Sequence, residues 1–181
     1  MDYTTEGAIG MKKFVVLSAL LFIVVALAYE TQVNFLNYQS ITYRVSVDER
    51  TATVLLQFDK LKQGGYEVTY SVKFTVEDEF DYEAFALPYI YTMLSYAYNP
   101  AFLQFLQMVD LDRPSTLNFY GMKIVYEKDE KVGKYTGRRF SFYSNDQKLF
   151  SWVASKEIDL ILKFELPDQG YVAELVDFQK R

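Results

Sequence analysis

The sequence predicts a mainly β protein of the α+β class: an antiparallel, strongly curved sheet or half-barrel with a two-helix hairpin packed on its concave face. Long stretches alternate apolar and polar residues, which is typical of strands with one buried and one solvated face. Short turn sequences separate these stretches, so neighbouring strands are expected to run antiparallel. One uncharged run, from Ala84 to Val109, breaks the alternation and predicts the helices.

The N-terminal segment predicts export. Lys12-Lys13 is followed by an apolar run that ends in Ala26-Leu27-Ala28. A charged start, a short apolar middle and a small-residue exit are the features of a secretory signal peptide, which we place at residues 11–28. An uncleaved anchor helix is the alternative, although the run is short for a membrane span.

The remaining chain is expected to be a single domain, residues 29–181, located in the periplasm or outside the cell. Residues 1–10 are expected to be an upstream extension, with Met11 as the native start. The 181 residues include no cysteine, and an exported protein without disulfides fits a bacterial envelope better than a eukaryotic secreted module.

Composition excludes several classes of function. The net charge is −5 and no basic stripe is present, so a nucleic-acid partner is not expected. The absence of both cysteine and histidine removes thiol nucleophiles, histidine-dependent triads and the usual zinc ligands. We therefore expect no enzyme, cofactor or metal site, and a carboxylate-based hydrolase is the weaker alternative.

The first strands follow directly from the alternation. Apolar and polar residues alternate over Ile41–Val47, and a further strand is predicted over Thr51–Lys60. After the Gly64-Gly65 turn, the twelve residues from Tyr66 to Glu77 alternate without a break. This is the longest predicted strand.

The insert at residues 83–109 is predicted to be two short helices. Its apolar residues are nearly continuous, as in a helix that is buried all round. Asn99-Pro100 is a helix-start signal, because asparagine caps a helix and proline suits its first position. The division leaves each helix too short to span a membrane.

Alternation resumes after the insert. Four further segments are each expected to be one strand, and charged or glycine-containing turns join them. The predicted strands and turns are Leu117–Glu127 with a bulge at Gly121, a turn at Lys128–Gly133, Lys134–Ser144, a turn at Asn145-Asp146-Gln147, Lys148–Ala154, Ile158–Leu166, a turn at Pro167–Gly170, and Tyr171–Gln179.

Aromatic residues are the main compositional feature, with 16 tyrosines and 15 phenylalanines. Such residues line large apolar cavities, and a sheet with one apolar face must be covered. We therefore expect an apolar cavity between the sheet and the insert. Its candidate lining residues are Tyr66, Tyr70 and Phe74 from the longest strand, Leu94, Phe102, Phe105 and Leu106 from the insert, and Trp152.

The order of features in the C-terminal third carries a family resemblance. Trp152-Val153, Lys156-Glu157, Gly170 and Asp177-Phe178 follow one another on successive strands and turns. In this order, residues 117–179 resemble the end of the LolA/LolB-like superfamily, the half-barrel proteins of outer-membrane lipoprotein sorting. The resemblance implies an incomplete barrel whose concave aromatic face holds acyl chains under a helical lid.

The sequence thus predicts a non-catalytic, exported cell-envelope protein that binds a lipid or another apolar ligand. Its expected partners are lipid or lipoprotein acyl chains and an envelope protein. Membrane contact is expected only through an uncleaved signal or at the periphery. The alternative is a structural or protein-interaction envelope protein with no ligand pocket. A small transmembrane barrel is less favoured, because a helical pair would interrupt its strands.

Overall fold

The computed structural model describes residues 33–48, 50–75, 98, 103 and 108–181. The chain divides into two units, Met1–Gln32 and Val33–Arg181, and every described residue belongs to the second. The predicted signal peptide lies outside the described residues. So does most of the predicted insert at residues 83–109, although the backbone is helical at Leu103 and Met108.

Nine strands form one antiparallel sheet, which confirms the prediction of a mainly β antiparallel fold. Within the described residues the sheet is open, with β3 and β4 at its two edges. The order across the sheet is β3-β2-β1-β9-β8-β7-β6-β5-β4. The strands are β1 (Tyr38–Val47), β2 (Arg50–Lys60), β3 (Tyr66–Phe74), β4 (Thr116–Phe119), β5 (Met122–Val132), β6 (Tyr135–Ser144), β7 (Gln147–Ala154), β8 (Lys163–Leu166) and β9 (Tyr171–Lys180).

Two meanders make up the sheet, β1–β3 and β4–β9, and they meet where the first strand pairs with the last. Ile41 lies opposite Phe178, and Val45 lies opposite Ala173. Residues 75–115 link β3 to β4 and therefore lead from one edge of the sheet to the other. Eight strand spacings of about 4.8 Å separate these edges along the sheet.

Alternation gives the sheet two chemically different faces. One face, called the apolar face here, carries a row of side chains that crosses eight strands in register, from β3 to β5. The row is Phe74, Ala52, Val45, Ala173, Phe164, Trp152, Phe140 and Tyr126. The opposite face, called the polar face, carries the row Arg44, Glu174, Lys163, Val153 and Arg139.

Three predicted turns are confirmed. Gly64 and Gly65 have φ values of 93° and 85°, which glycine adopts at no steric cost, and they join β2 to β3. Asn145 and Asp146 lie between the paired residues Ser144 and Gln147. The turn at Pro167–Gly170 joins β8 to β9.

The prediction of one strand with a bulge over Leu117–Glu127 is wrong. Tyr120 and Gly121 both have positive φ, 47° and 78°, and Phe119 pairs with Met122 across them. Two consecutive left-handed residues form a tight hairpin turn, so the segment is divided between β4 and β5. Gly121 marks a reversal of the chain.

Two further boundary predictions are wrong. The expected charged turn at Lys128–Gly133 is strand as far as Val132, since strands tolerate charge on a solvated face. The expected strand at Ile158–Leu166 is regular only from Lys163. Residues 160–162 are all buried, which strict alternation does not allow, because successive strand residues point to opposite faces.

The predicted strand Tyr66–Glu77 is regular as far as Phe74, and Val76 and Glu77 lie outside the described residues. No described helix is both long and apolar enough to cross a membrane.

Candidate functional site

Four of the eight predicted lining residues are described, and all four lie on the apolar face. Tyr66, Tyr70 and Phe74 alternate along β3 at one edge, whereas Trp152 lies on β7. Phe74 and Trp152 belong to the same cross-sheet row but are five strand spacings apart, about 24 Å along the sheet. The structure therefore places the four on one face, with β7 and β3 separated by four intervening strands. Leu94, Phe102, Phe105 and Leu106 lie outside the described residues.

Trp152 lies within an aromatic cluster on the apolar face. Its ring stacks on Phe140 and lies against Phe150, with ring centroids 5.6 Å apart in both cases. Phe164 lies opposite Trp152 in register, and its ring contacts Tyr171 edge-on at 6.5 Å. These residues occupy β6 to β9 and form the most aromatic part of the face.

Two polar atoms in this cluster have no hydrogen-bond partner among the described residues: Trp152 Nε1 and Tyr171 Oη. Both side chains are only 1% exposed. Indole and phenol groups usually find a partner when they are buried. Burial raises the pKa of the Tyr171 hydroxyl, so this hydroxyl stays protonated and can donate a hydrogen bond.

A second group of tyrosines connects the sheet to the insert. The Tyr43 hydroxyl donates to the Ile161 carbonyl at 2.7 Å and is hydrogen bonded to the Tyr98 hydroxyl. The Ile161 N–H in turn donates to the Tyr98 hydroxyl at 3.2 Å. Tyr98 also lies edge-on against Phe35, with ring centroids 4.9 Å apart. One residue of the insert is thus held on the interior strand β1.

Sequence reasoning missed these hydroxyl contacts. The alternation of Ile41, Tyr43 and Val45 was a signal that Tyr43 faces the core. The sequence holds no comparable signal for Tyr98 or for the backbone of Ile161. Burial raises the pKa of the Tyr43 hydroxyl, so this group is not a phenolate base at neutral pH.

The polar face carries a partly buried network of ion pairs centred on Arg139. The Arg139 Nε donates to Glu127 at 2.9 Å, and its Nη1 donates to Glu130 at 3.0 Å; the guanidinium also binds Glu165. Lys163 Nζ lies 2.9 Å from Glu165 and 3.2 Å from Glu130. The side chains of Arg139 and Glu165 are 12% and 16% exposed.

A bulge in β5 helps to build this network, because the register shifts between Tyr126 and Lys128. The shift leaves Glu127 without a residue opposite it on β6. Its carboxylate accepts hydrogen bonds from Arg139 and, at 2.9 Å, from Lys148. Bulges commonly redirect a side chain in this way.

The pKa values of Glu165 and Arg139 keep both groups ionised at neutral pH. Burial acts to raise the pKa of Glu165, but hydrogen bonds from Arg139, Lys163 and Ser151 lower it to about 2. Burial acts to lower the pKa of Arg139, and its bonds to Glu165 and Glu130 raise it above the ordinary value. A carboxylate that stays ionised and saturated with donors is poorly suited to acid–base catalysis, so this geometry favours a structural role for the network.

A groove of about 310 Å³ lies near the ends of β6 and β7. Arg138, which lines it, lies 3.7 Å from Asp129 and 5.6 Å over the ring of Tyr126. Charges of both signs alternate around the groove, which does not favour a ligand of either charge. Its lining residues are Leu111, Asp129, Thr136, Gly137, Arg138, Ala154, Ser155, Lys156 and Glu157.

No cluster of three or more acidic side chains that could hold a metal ion occurs within the described ranges. No protein-family model, curated protein or solved structure matches the chain. The functional assignment therefore depends on the geometry of the chain itself.

Proposed function

We propose that this chain is an exported cell-envelope protein that binds a lipid or another apolar ligand on its apolar face, without catalysing a reaction. The observation that carries the proposal is the pair of buried polar atoms Trp152 Nε1 and Tyr171 Oη, which have no partner among the described residues. A buried polar atom without a partner costs about 1–3 kcal/mol. A ligand oxygen among these rings would remove that cost.

A lipid has the chemistry that this part of the face would recognise. Both Trp152 Nε1 and Tyr171 Oη can donate a hydrogen bond, and the carboxylate or ester oxygens of a lipid accept one. The surrounding rings of Phe140, Phe150 and Phe164 offer apolar surface to an acyl chain, at about 25 cal/mol for each Å² buried. Binding of this kind needs no charged anchor.

The path of the chain supports a cover over the same face. Residues 75–115 connect the two edge strands, and three described parts of this segment reach the core. Tyr98 is bound to Tyr43, while Leu103 and Val109 are buried. In the proposal, the sheet is strongly curved into a half-barrel and a two-helix hairpin at residues 83–109 covers its concave, apolar face.

The remaining predicted features belong to the same proposal. Leu94, Phe102, Phe105 and Leu106 would line the cover, opposite Trp152 and the β3 side chains. The architecture is that of the LolA/LolB-like proteins which residues 117–179 resemble, with lipid or lipoprotein acyl chains as ligands and an envelope protein as a further partner. The location would be the periplasm or the extracellular space, with membrane contact through an uncleaved signal or at the periphery.

Trp152 is the single tryptophan of the chain, so its fluorescence reports directly on the proposed site. We expect dibrominated stearic acid, added to the purified full chain, to quench Trp152 emission saturably, because bromine atoms of a bound acyl chain would lie next to the indole. Unbrominated stearic acid should compete. Quenching that is linear in probe concentration, and no stronger than that of free tryptophan, would contradict the proposal.

Two variants serve as controls for this titration. The double variant Trp152→Phe, Tyr120→Trp moves the indole to the β4–β5 turn, where Tyr120 is fully exposed, and should lose the saturable phase. Tyr171→Phe removes a hydroxyl that the described residues leave unpaired and keeps the ring. It should leave the fold intact and weaken the probe about fivefold, the equivalent of one hydrogen bond.

A structural or protein-interaction role without a pocket is the second candidate, and one observation favours it. The Tyr43–Tyr98–Ile161 hydrogen bonds join the insert directly to the sheet, as they would in a packed core. If this role is the right one, the brominated probe will not bind, whereas the chain will still fold cooperatively.

A further inference from the structure

The groove near the ends of β6 and β7 lies on the apolar face, beside the aromatic cluster. Arg138, which lines the groove, precedes Phe140 by two residues on β6, so both side chains point to the same face. Phe140 lies opposite Trp152 on β7. Arg138 lies opposite Ala154, and no register shift separates the two pairs. Because two residues of a strand span about 7 Å, the groove begins one row of side chains away from Trp152.

A series of ring contacts connects the groove to Trp152. The Arg138 guanidinium lies over the ring of Tyr126, 5.6 Å from its centroid. Tyr126 contacts Phe140 edge-on, with ring centroids 6.0 Å apart, and Phe140 stacks on Trp152. A lipid whose acyl chain covered these rings would therefore bring the polar atoms at its end to Arg138.

Arg138 has hydrogen-bonding capacity that the described residues do not use. Its Nη1 is buried without a partner among them, and its Nε lies 3.7 Å from Asp129, which is too long for a hydrogen bond. The side chain as a whole is 24% exposed, so a ligand in the groove can reach the guanidinium. A guanidinium binds phosphate oxygens through two parallel hydrogen bonds. The groove thus offers a donor group to an anionic ligand oxygen.

The other charges of the groove disfavour a headgroup that is only negative. Lys156 is already paired with Asp112. Glu157 is exposed and has no ion-pair partner in the described part of the chain. Asp129 accepts a hydrogen bond from the Tyr126 hydroxyl at 3.2 Å. Two carboxylates beside a single guanidinium repel a second negative charge and attract a positive one.

We propose that the groove binds the headgroup of a zwitterionic phospholipid that carries a phosphodiester and a primary ammonium, as phosphoethanolamine does. The inference rests on the proposed function, since the acyl chain of the same lipid would lie on the aromatic cluster. In this arrangement Arg138 binds the phosphate and Glu157 binds the ammonium. The ester oxygen nearest the headgroup reaches Trp152 Nε1, one row of side chains away.

Lysophospholipids that share one brominated stearoyl chain and differ only in headgroup test the inference on the full chain. Quenching of Trp152 emission would be titrated with the ethanolamine, choline and glycerol headgroups. We expect the ethanolamine form to bind about tenfold more tightly than the glycerol form, because only its ammonium can pair with Glu157. The choline form should lie between them, since its quaternary ammonium carries the charge but has no N–H to donate.

Two substitutions separate the headgroup from the acyl chain. Arg138→Gln should weaken the ethanolamine probe about tenfold and leave brominated monostearoylglycerol, which is uncharged, unaffected. Glu157→Gln should remove the preference for ethanolamine over glycerol without weakening the glycerol form. The matched control is Arg44→Gln on the polar face, where the side chain is 58% exposed, and it should change no affinity. Thermal unfolding would verify that each variant is folded.

The outcomes distinguish this inference from the proposed function. Equal affinity for the three headgroups, or a preference that survives both Arg138→Gln and Glu157→Gln, overturns the headgroup site and leaves acyl binding intact. If no brominated probe quenches saturably, the proposed function and this inference fail together.

The headgroup alone distinguishes a lipid from a water-soluble ligand. Glycerophosphoethanolamine should compete at least about a hundredfold more weakly than the lysolipid, because it buries no acyl surface. Competition as strong as that of the lysolipid would identify a water-soluble zwitterion as the ligand and would overturn the lipid.

Discussion

Single side chains distinguish the two faces of the sheet. On the polar face, Arg139 has a carboxylate for every nitrogen that points into the network, and Glu165 receives bonds from Arg139, Lys163 and Ser151. On the apolar face, Trp152 Nε1 and Tyr171 Oη lack partners among the described residues. The charges of the Arg139 network are therefore paired on the polar face, whereas two buried donors of the aromatic cluster have no partner among the described residues.

The pKa of Glu165 makes the polar-face network sensitive to acid. This pKa is about 2 in the folded chain and about 4.3 in an unfolded one. Because the folded value is the lower one, the contribution to stability is complete above pH 5 and disappears as the pH falls towards 2. We expect Glu165→Gln to lower the free energy of unfolding at pH 7 by about 3 kcal/mol and to flatten its decline below pH 5, as measured by urea unfolding.

Asp177→Asn is the matched control for Glu165→Gln. Asp177 pairs with Lys134 at 2.8 Å, but both side chains are more than 60% exposed. Water and salt screen such a pair, so this variant should unfold like the original chain throughout the pH range. An equal loss of stability in both variants would show that the partly buried Arg139 network stabilises the fold no more than an exposed ion pair does.

At the scale of single elements, one glycine allows the strands β6 and β7 to approach each other closely. Gly137 on β6 lies so close to β7 that a Cβ there would be 2.5 Å from the Ala154 carbonyl oxygen and 2.9 Å from Val153 Cγ1. The tight approach lets Arg139, two residues further on, lie beside Ser151. One missing side chain thus positions part of the ion network.

We expect Gly137→Ala to lower the free energy of unfolding by about 1–3 kcal/mol, because β6 and β7 must separate to admit the methyl group. The matched control is Gly133→Asn in the β5–β6 turn. There φ is +58° and nothing lies within 4 Å, and asparagine tolerates left-handed backbone. Thermal unfolding followed by circular dichroism compares the two, and a smaller loss at Gly137 than at Gly133 would contradict this account.

Alternation was enough to predict most strands, because a two-residue period is a local property of the chain. The hairpin turn at Tyr120-Gly121 was not predicted, because tyrosine seldom adopts positive φ and the turn contains neither asparagine nor aspartate. The irregular backbone of residues 158–162 was not predicted, because four of the five residues are apolar, as in a buried strand. The Arg139 network could not be foreseen, since it depends on register across the four strands β5 to β8 and on the bulge at Glu127.

At the scale of the whole molecule, the pairing of β1 with β9 explains why a single connection joins the two edges of the sheet. That pairing places the interrupted connection at the two edges, so residues 75–115 have to lead from β3 to β4. Sequence reasoning predicted an insert between two groups of strands, and its role as a cover stays a prediction. The strand order across the sheet was not predicted, because long-range pairing leaves no local signal.

The central claim is that the apolar face holds a ligand, and native mass spectrometry tests it most directly. The full-length protein would be isolated from the envelope fraction of its host under gentle conditions and measured without denaturation. The account predicts discrete adducts of lipid mass that leave on collisional activation, and their loss after delipidation. A bare protein mass in repeated preparations, from a chain that is folded, would contradict it.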